Sequence, residues 1–424
     1  MTDDKRAVEV KESSLVLAAV SIVERNNCLK ALSSLLKENK DEIFKANHKD
    51  LEKGVKEGLD QPLLDRLKFD EEKLLEVVSG IEDLILMEDP LNKSLLKREL
   101  SEDLILEKLT CPIGVIGVIF ESRPDALVQI SALCIKSGNA VILKGGSEAL
   151  NTNKALFQII KEAGKSTGFP ENFILLLETR EDTLTLLSWD RYVDLIIPRG
   201  SNEFVRYIKD NSRIPVMGHA DGVCHIYVDE RADLEKALNI IWDSKTDYVA
   251  ACNAVETLLV HKNIAEIFLP MVFKKLKDDV KMKGCENTGK IINVPLLKDE
   301  DYHTEYLDYK LSIKVVDSLN SAVDHINKYG SHHTDAIITE DENSAKSFFN
   351  KVDSAGVYHN CSTRFADGYR YGFGAEVGIS TGKLHARGPV GLEGLLTYKY
   401  ILRGKGHTLA DFKKGERAFS FKDL

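Results

Sequence analysis

The sequence predicts an α/β protein built on two doubly wound parallel sheets, and two observations support this prediction. Short β-branched runs alternate with helical patterns between residues 113 and 197, and the alternation resumes from residue 223 onwards. Strands and helices that alternate in this way pair in parallel and cover both faces of a sheet. The length of 424 residues allows two or three domains with sizeable cores.

The first alternation is preceded by a helical segment and a hairpin. Residues 7 to 85 are predicted to be helical, because leucines recur at helical spacing, for example at Leu32, Leu35 and Leu36. Residues 96 to 110 partly alternate polar and apolar side chains and predict an exposed hairpin. After Tyr400 the chain is polar and basic, with little apolar content for a core.

The two alternations predict a set of strands and helices in order. Strands are expected at 113–120, 140–143, 173–177, 194–197, 223–228, 256–260, 312–316, 335–339 and 356–358, and helices at 126–137, 151–167, 233–245 and 264–278.

Charge and cysteine usage restrict the partners and the compartment. The net charge of −10 argues against nucleic acid or an anionic membrane as the main partner. No apolar run is long enough to span a bilayer, and the first residues lack the pattern of a signal peptide. The seven cysteines are scattered and form no C-x-x-C pair. This pattern is typical of a reducing compartment and argues against a metal site or a disulfide framework. We therefore expect a cytoplasmic protein without a metal.

Glycine-containing turns after two predicted strands favour phosphate binding. Lys144 and Ser147 enclose two glycines after the second strand, and Gly200 and Ser201 follow the fourth strand and open a helix. Ligands of doubly wound sheets bind at the carboxyl ends of strands, where helix N-termini supply free N–H groups. Ordinary strand-to-helix turns have a similar composition, so this pattern alone leaves both interpretations open.

A cysteine among small residues is the candidate nucleophile. Cys252 stands between Ala251 and Asn253, just before a predicted strand. Small neighbours would let a substrate carbonyl approach the sulfur. A buried structural cysteine fits the same pattern.

Loops rich in Gly, Ser, Thr, Arg and His dominate the C-terminal third, at 359–365, 372–376 and 382–389. They predict either a polar pocket that accepts anions or solvated surface loops.

Six segments spread over nearly the whole chain carry a family resemblance. They are Cys-Pro-Ile-Gly-Val-Ile-Gly-Val-Ile-Phe-Glu-Ser-Arg-Pro from 111, Leu-Lys-Gly-Gly-Ser-Glu-Ala from 143, Ile-Pro-Arg-Gly-Ser-Asn from 197, Gly-His-Ala-Asp-Gly-Val-Cys-His-Ile-Tyr-Val-Asp from 218, Cys-Asn-Ala-Val-Glu-Thr from 252 and His-Ala-Arg-Gly-Pro-Val-Gly-Leu-Glu-Gly from 385. In these segments the chain resembles the γ-glutamyl phosphate reductases, a branch of the aldehyde dehydrogenase superfamily.

The resemblance implies an aldehyde dehydrogenase-like fold with three parts. An NADPH-binding domain would comprise residues 1–95 and 111–219, and a catalytic domain residues 220–394. The hairpin at 96–110 and the tail at 395–424 would form an oligomerisation element, so a homo-oligomer is expected.

The resemblance also implies roles for individual residues. Cys252 matches the nucleophile, Lys144, Gly200 and Ser201 match cofactor contacts, and Glu305 falls where the superfamily binds the nicotinamide ribose. Ser147 occupies the position at which relatives that prefer NAD carry an acidic residue, which favours NADPH here.

Two departures from oxidising aldehyde dehydrogenases point to an acyl phosphate substrate. Gly218, followed by His219, replaces the Glu that activates water, and His219 is expected to contact phosphate. Arg123 replaces the Asn that holds the oxyanion, and a guanidinium can bind a phosphoryl group bidentately. Further anion contacts, to the substrate α-carboxylate among others, are expected from Ser362, Thr363, Arg364 and Arg387.

The reaction that the resemblance implies is the NADPH-dependent reduction of L-glutamyl 5-phosphate to L-glutamate 5-semialdehyde through a Cys252 thioester. This is the second step of proline biosynthesis from glutamate, and glutamate 5-kinase is a candidate partner. Two rival functions stay open: a reductase of acyl-CoA, and a catalytically silent subunit that lends its oligomerisation surface to a kinase. Turnover with each acyl donor would discriminate the first, and the reactivity of Cys252 the second.

Overall fold

The chain forms two units, each built on its own parallel sheet. The computed structural model describes residues 4–179, 181–218, 221–373 and 376–424. The first unit comprises Met1–Met217, Phe373–Gly378 and Val390–Leu424, and the second comprises Gly218–Gly372 and Ile379–Pro389.

The α-helices in the described residues are α1 (Lys5–Leu17), α2 (Ile22–Glu38), α3 (Lys40–Lys56), α4 (Gln61–Leu67), α5 (Glu71–Leu86), α6 (Pro124–Ser137), α7 (Leu150–Ser166), α8 (Glu181–Leu187), α9 (Asn202–Asn211), α10 (Leu234–Thr246), α11 (Lys262–Leu276), α12 (Glu286–Ile291), α13 (Leu319–Tyr329), α14 (Glu342–Lys351) and α15 (Leu409–Lys413). The strands are β1 (Ser94–Ser101), β2 (Leu104–Pro112), β3 (Val115–Phe120), β4 (Ala140–Gly145), β5 (Ile174–Leu177), β6 (Leu195–Arg199), β7 (Cys224–Val228), β8 (Val255–His261), β9 (Lys281–Gly284), β10 (Lys310–Val316), β11 (Thr334–Ile338), β12 (Gly356–His359), β13 (Gly378–Ser380), β14 (Gly388–Val390), β15 (Leu396–Arg403) and β16 (Lys422–Asp423).

The parallel sheet of the first unit has the strand order β5-β4-β3-β6. Every residue of β3 and β4 is buried, which explains why β3 and the first four residues of β4 are apolar runs. In this sheet Phe120 lies opposite Gly145 on one side and Arg199 on the other. The loops that follow β3, β4 and β6 therefore meet at one carboxyl-terminal edge.

The parallel sheet of the second unit has the order β12-β11-β7-β8-β10-β9. Two apolar clusters cover its faces, one packed with α10 and α11 and the other with α13 and α14. Residues of β7 alternate between these clusters, with Ile226 and Val228 in one and Tyr227 in the other. The sheet is thus buried on both faces, as in a doubly wound fold.

An antiparallel sheet with the order β15-β2-β1-β16 joins the hairpin to the tail within the first unit. Leu396 to Arg403 pair continuously with β2, and Arg98 lies opposite Asp423. The side chains of Tyr398, Tyr400 and Leu402 are exposed. The role of this sheet in oligomerisation stays a prediction.

The predicted α/β class and the strands of both alternations are confirmed, with ends that shift by one or two residues. Strand β9 was not predicted, because this edge strand reads Lys-Met-Lys-Gly and lacks an apolar run. Within the described ranges, no helix combines the length and the apolar character needed to cross a membrane. The same ranges contain no cluster of His, Cys, Asp or Glu arranged to hold a metal ion.

A buried carboxylate attaches the N-terminal helices to the first unit. Asp50, in α3, is 1% exposed and accepts four hydrogen bonds at the start of α7. The donors are the backbone N–H and side-chain amide of Asn151 and the N–H and hydroxyl of Thr152, at 2.6 to 3.2 Å. These bonds satisfy N–H groups that the first turn of a helix cannot satisfy itself.

We expect Asp50→Ala to lower the free energy of unfolding by about 3 kcal/mol, because it leaves buried donors without an acceptor. The measurement is urea denaturation followed by circular dichroism. Asp65→Ala is the matched control: Asp65 is exposed and accepts one bond, from Gln61, so its loss should cost less than about 0.5 kcal/mol. Equal losses in the two variants would contradict this role of Asp50.

Candidate active site

Cys252 lies in a turn between the end of α10 and the start of β8. The N–H of Ala251 donates to the carbonyl of Tyr248 at 3.3 Å, and the N–H of Ala254 donates to the carbonyl of Ala251 at 2.9 Å. Cys252 itself is half-buried. Because β8 begins at Val255, the turn lies at the amino-terminal edge of the second sheet.

The backbone of Cys252 packs directly against Gly222. A Cβ atom at position 222 would lie 2.1 Å from the carbonyl oxygen of Cys252 and 2.6 Å from its Cα. The thiol of Cys224, two residues further on, donates to the same carbonyl oxygen at 3.3 Å. Burial raises the pKa of Cys224 well above its usual value, which keeps its thiol protonated as a donor. Residues 222 to 224 therefore contact the backbone of Cys252 and hold the turn in place.

Asn253 holds the other side of the turn. Its buried amide donates to the carbonyl of Ala366 at 2.9 Å and to that of Arg364 at 3.5 Å, and it accepts a hydrogen bond from the Arg364 guanidinium. Arg364 also donates to Asp247 at 2.9 Å. The residue after the candidate nucleophile is thus clamped on both its donor and acceptor sides.

The segment from Ser362 to Arg364 is buried beside α10. The hydroxyls of Ser244 and Ser362 are 2.9 Å apart, and Ser362 accepts the N–H of Arg364 at 3.2 Å. Thr363 is fully buried, and its N–H donates to Ser244 at 3.3 Å. The structure therefore brings this segment to the Cys252 turn through Asn253. Binding of a substrate carboxylate by Ser362, Thr363 and Arg364 stays a prediction.

Arg387 contacts the loop before β12, at the amino-terminal edge of the second sheet. Its guanidinium lies 3.0 Å from a carboxylate oxygen of Asp353, which Lys383 also approaches at 2.6 Å. The hydrogen bond from Lys383, followed by that from Arg387, lowers the pKa of Asp353. The expected role of Arg387 as an anion contact stays a prediction.

Glu305 lies in the loop between the 3-10 turn Asp299–His303 and β10. Since β10 neighbours β8 in parallel, Glu305 and Cys252 share the amino-terminal edge of the sheet. Glu305 is half-buried, and its charge contributes to the electrostatic environment of buried Glu256. Contact of Glu305 with a nicotinamide ribose is not tested by this placement.

The predicted cofactor residues of the first unit meet at its carboxyl-terminal edge. Lys144 is buried and donates to the carbonyl of Gly145 at 2.5 Å, whereas Ser147 is exposed at the start of a 3-10 turn. Glu148 folds back and accepts both the N–H and the hydroxyl of Ser122, at 2.7 and 2.8 Å. The carboxylate next to Ser147 is therefore engaged with the loop after β3.

A second carboxylate lies at the N-terminus of α9. Ser201 caps this helix with its hydroxyl, and its N–H donates to Glu121 at 3.0 Å. A Cβ atom at Gly200 would lie 2.4 Å from the same carboxylate oxygen, so a larger residue would require the Glu121 side chain to move. An anion that binds at this helix N-terminus must share its N–H groups with Glu121.

Arg123 and His219 complete the predicted substrate contacts. Arg123 is half-buried and immediately precedes α6, after Ser122, which adopts a left-handed φ of 44°. His219 lies outside the described residues. Their roles in binding phosphate stay predictions.

Three residues around Cys252 were not predicted from the sequence: Gly222, Cys224 and Glu256. Each lies inside a segment that carried the resemblance, and Glu256 is a charged residue within the fully buried strand β8. Buried parallel strands rarely contain an unpaired charge, so this position was a signal for an ion pair.

Another thiol has an environment that favours ionisation. Burial opposes it, but hydrogen bonds from the Thr288 hydroxyl and from backbone N–H groups lower the pKa of Cys285 below its usual value. Cys285 follows the last residue of β9, at the carboxyl-terminal edge of the second sheet. It therefore lies at the edge opposite to Cys252 and must be tested separately.

The comparisons with known proteins agree over the whole chain. Residues 4–291 match the model of the aldehyde dehydrogenase family. A gamma-glutamyl phosphate reductase from Acetivibrio thermocellus is 60% identical over 425 residues, covering 100% of this chain and 99% of the relative. One from Pelotomaculum thermopropionicum is 56% identical over 426 residues, covering 100% and 98%.

Solved structures give the same result. The crystal structure of gamma-glutamyl phosphate reductase from Thermotoga maritima is 41% identical with a TM-score of 0.93, covering 95% of this chain and 99% of that one. An acetylating aldehyde dehydrogenase from Geobacillus thermoglucosidasius is 17% identical with a TM-score of 0.65, covering 95% of this chain and 96% of that one, and shares the fold.

The contact between Gly222 and Cys252 generates a test. We expect Gly222→Ala to lower turnover by about 100-fold, because a methyl group would displace the backbone of Cys252, the candidate nucleophile, by a substantial part of an ångström. Gly289→Ala, in the same unit, is the control, since no atom lies within 4 Å of the place that its methyl group would take. Steady-state kinetics and a thermal melt should be measured on both variants. Wild-type turnover in folded Gly222→Ala would show that the contact does not position Cys252.

Proposed function

Because this chain belongs to the γ-glutamyl phosphate reductase family of the aldehyde dehydrogenases, we propose that it reduces L-glutamyl 5-phosphate to L-glutamate 5-semialdehyde and phosphate, with NADPH as the reductant. This is the second step of proline biosynthesis from glutamate. The observation that supports the proposal most directly is the intact Cys252 turn, clamped by Gly222, Cys224 and Asn253.

The thiolate of Cys252 is the nucleophile in this proposal. It attacks the γ-carbonyl carbon, the carbon–oxygen bond to phosphate breaks, and a thioester forms on the sulfur. The cofactor supplies the hydride that reduces this thioester. Reduction leaves the alkoxide of a thiohemiacetal; its carbon–sulfur bond breaks as the carbonyl re-forms, which expels the Cys252 thiolate and releases the aldehyde. The backbone N–H of Cys252 is the proposed donor to the oxyanion.

Water must be kept from the thioester for reduction to prevail. Oxidising relatives use a Glu as general base at the position that is Gly218 here, and a glycine cannot activate water. Phosphate then becomes the acyl acceptor when the reaction runs backwards. Arg123 and His219 are the proposed phosphate contacts, and a planar guanidinium suits a dianionic group.

The substrate α-carboxylate has two proposed sites. Arg364 already contacts Asp247 and Asn253, so a carboxylate bound there would join an existing network. Arg387 shares Asp353 with Lys383, which leaves this group of three side chains with a net positive charge. A bound carboxylate would complement that charge.

Aldehyde dehydrogenases use NAD or NADP, and the residues at the edge of the first sheet fit the phosphorylated form. The hydroxyl of Ser147 is exposed, whereas the carboxylate of Glu148 is bound to Ser122. A 2′-phosphate would therefore meet a hydroxyl rather than a carboxylate at position 147. Lys144, Gly200 and Ser201 would hold the rest of the cofactor, with Glu305 on the nicotinamide ribose.

Assembly and location are further proposals. The antiparallel sheet formed by β15, β2, β1 and β16 exposes apolar side chains and is the proposed surface for a homo-oligomer. Glutamate 5-kinase is the proposed macromolecular partner, because it would supply the labile acyl phosphate. A cytoplasmic location is proposed from the composition alone.

The reaction is tested in reverse, with pyrroline-5-carboxylate, phosphate and NADP⁺. We expect NADPH to form only when phosphate is present, and Cys252→Ala to lower the rate by at least about 10³-fold, because covalent catalysis has no other route. Cys285→Ser is the matched control and should retain nearly full activity. Activity that persists in Cys252→Ala, or that depends on coenzyme A in place of phosphate, would reject the proposal.

Cofactor choice is tested at position 147. Ser147→Glu should lower the preference for NADPH over NADH by at least about tenfold, roughly 1.4 kcal/mol, because a carboxylate there repels the 2′-phosphate. The ratio of kcat/KM values for the two cofactors is the measurement. Ser188→Glu places the same charge on an exposed serine before β6 and should leave the ratio unchanged. A wild type that prefers NADH would contradict the assignment.

A further inference from the structure

A buried ion pair joins a residue before the Cys252 turn to a residue after it. Lys245, near the end of α10, and Glu256, near the start of β8, are both 0% exposed, and the Nζ to Oε2 distance is 2.7 Å. Burial lowers the pKa of Lys245 and raises that of Glu256 to about 7, and each partner's charge opposes the shift of the other. A buried pair of this kind stabilises a fold little compared with two apolar side chains. Its presence in an apolar strand therefore calls for another role.

The second oxygen of Glu256 reaches the loop that carries Glu305. Oε1 accepts the backbone N–H of Leu307 in a long hydrogen bond of 3.4 Å. Leu307 has a left-handed φ of 50°, which is unfavourable for a residue with a Cβ atom, and its side chain is 45% exposed. Since an exposed side chain contributes little packing, the hydrogen bond from its N–H helps to keep this conformation.

Two further observations tie the same loop to its surroundings. The hydroxyl of Tyr306 lies 2.8 Å from that of Ser312 in β10, which anchors the far side of the turn. Glu305 lies two residues before Leu307, so the hydrogen bond from Leu307 to Glu256 restrains the backbone of the loop that carries it. Glu305 therefore lies on a turn that includes the unfavourable φ of Leu307. Glu256 holds this turn at the N–H of Leu307, and Ser312 holds it at the hydroxyl of Tyr306.

We propose that Glu256 is a positioning residue that, held by Lys245, fixes the turn at Leu307 and so orients Glu305 towards the nicotinamide ribose. The inference rests on the proposed cofactor role of Glu305. It links β8, the strand that follows Cys252, to the loop that carries Glu305, and it acts on the cofactor side of the site alone. Glu256 touches neither substrate nor cofactor in this proposal.

The test is a double-mutant cycle between Glu256 and Glu305, read as the Kd of NADP⁺ by calorimetric titration. The Lys245 ammonium and the Leu307 N–H donate to different oxygens of Glu256, so the NH2 group of Glu256→Gln must face one of these two donors. We expect Glu256→Gln to raise the Kd about five- to tenfold and Glu305→Ala about tenfold. The double variant should match Glu305→Ala within about twofold, because both changes remove one interaction.

Three further measurements separate positioning from general damage. The KM for NADPH should rise in Glu256→Gln while the rate of Cys252 alkylation by iodoacetamide stays within about twofold of wild type, since the nucleophile turn has its own clamps. Asp229→Asn is the matched control: Asp229 is 4% exposed in the same unit and bonds to Tyr227 and Thr339 at the opposite edge of the sheet. Its NADP⁺ affinity should equal that of wild type.

The outcomes are distinguishable. Additive effects in the cycle, an unchanged Kd in Glu305→Ala, or an equal loss in Asp229→Asn would each overturn the proposal. If Glu256→Gln fails to fold, the double variant Lys245→Met/Glu256→Leu removes both charges together and should show the same rise in Kd. Cofactor titration needs no turnover, so a failure of the chain to use L-glutamyl 5-phosphate would reject the proposed reaction and leave this result intact.

Discussion

The close approach of Gly222 to the backbone of Cys252 is the constraint on which the candidate active site depends. Because Gly222 has no side chain, its backbone packs directly against the backbone of the Cys252 turn. The Cys224 thiol and the Asn253 amide can then fix the same turn from two directions. A cysteine on a free loop would sample many orientations, whereas the backbone of this one is held by contacts on two sides.

The two parallel sheets present their candidate residues at opposite ends. In the first unit, the loops after β3, β4 and β6 follow the general rule that ligands of doubly wound sheets bind at the carboxyl ends of strands. In the second unit, Cys252, Glu305 and Asp353 all precede strands. These residues of the second unit therefore depart from the general rule, whereas the candidate residues Ser362, Thr363 and Arg364 follow β12.

Much of the fold was predictable from the sequence because buried parallel strands are continuous apolar runs and are easy to recognise. β3, β4 and β8 are entirely buried and stand out, whereas the polar edge strand β9 does not. Cys252 was predicted to be the nucleophile from its small neighbours and its family motif. Its supporting contacts were not, because hydrogen bonds such as those from Cys224 to Cys252 and from Asn253 to Ala366 join residues far apart in sequence. Such pairings depend on tertiary packing, which no local pattern encodes.

The antiparallel sheet has a consequence for how the chain reaches its fold. β1 and β2 pair with strands contributed by residues 396–403 and 422–423, and the Arg98–Asp423 bond spans 325 positions of sequence. During synthesis the hairpin therefore emerges long before the strands that cover its edges. The second unit is nearly continuous and can form earlier, whereas the first must wait for its last segment. Until then the hairpin carries two open edges, and unpaired edges of this kind are where nascent chains associate wrongly.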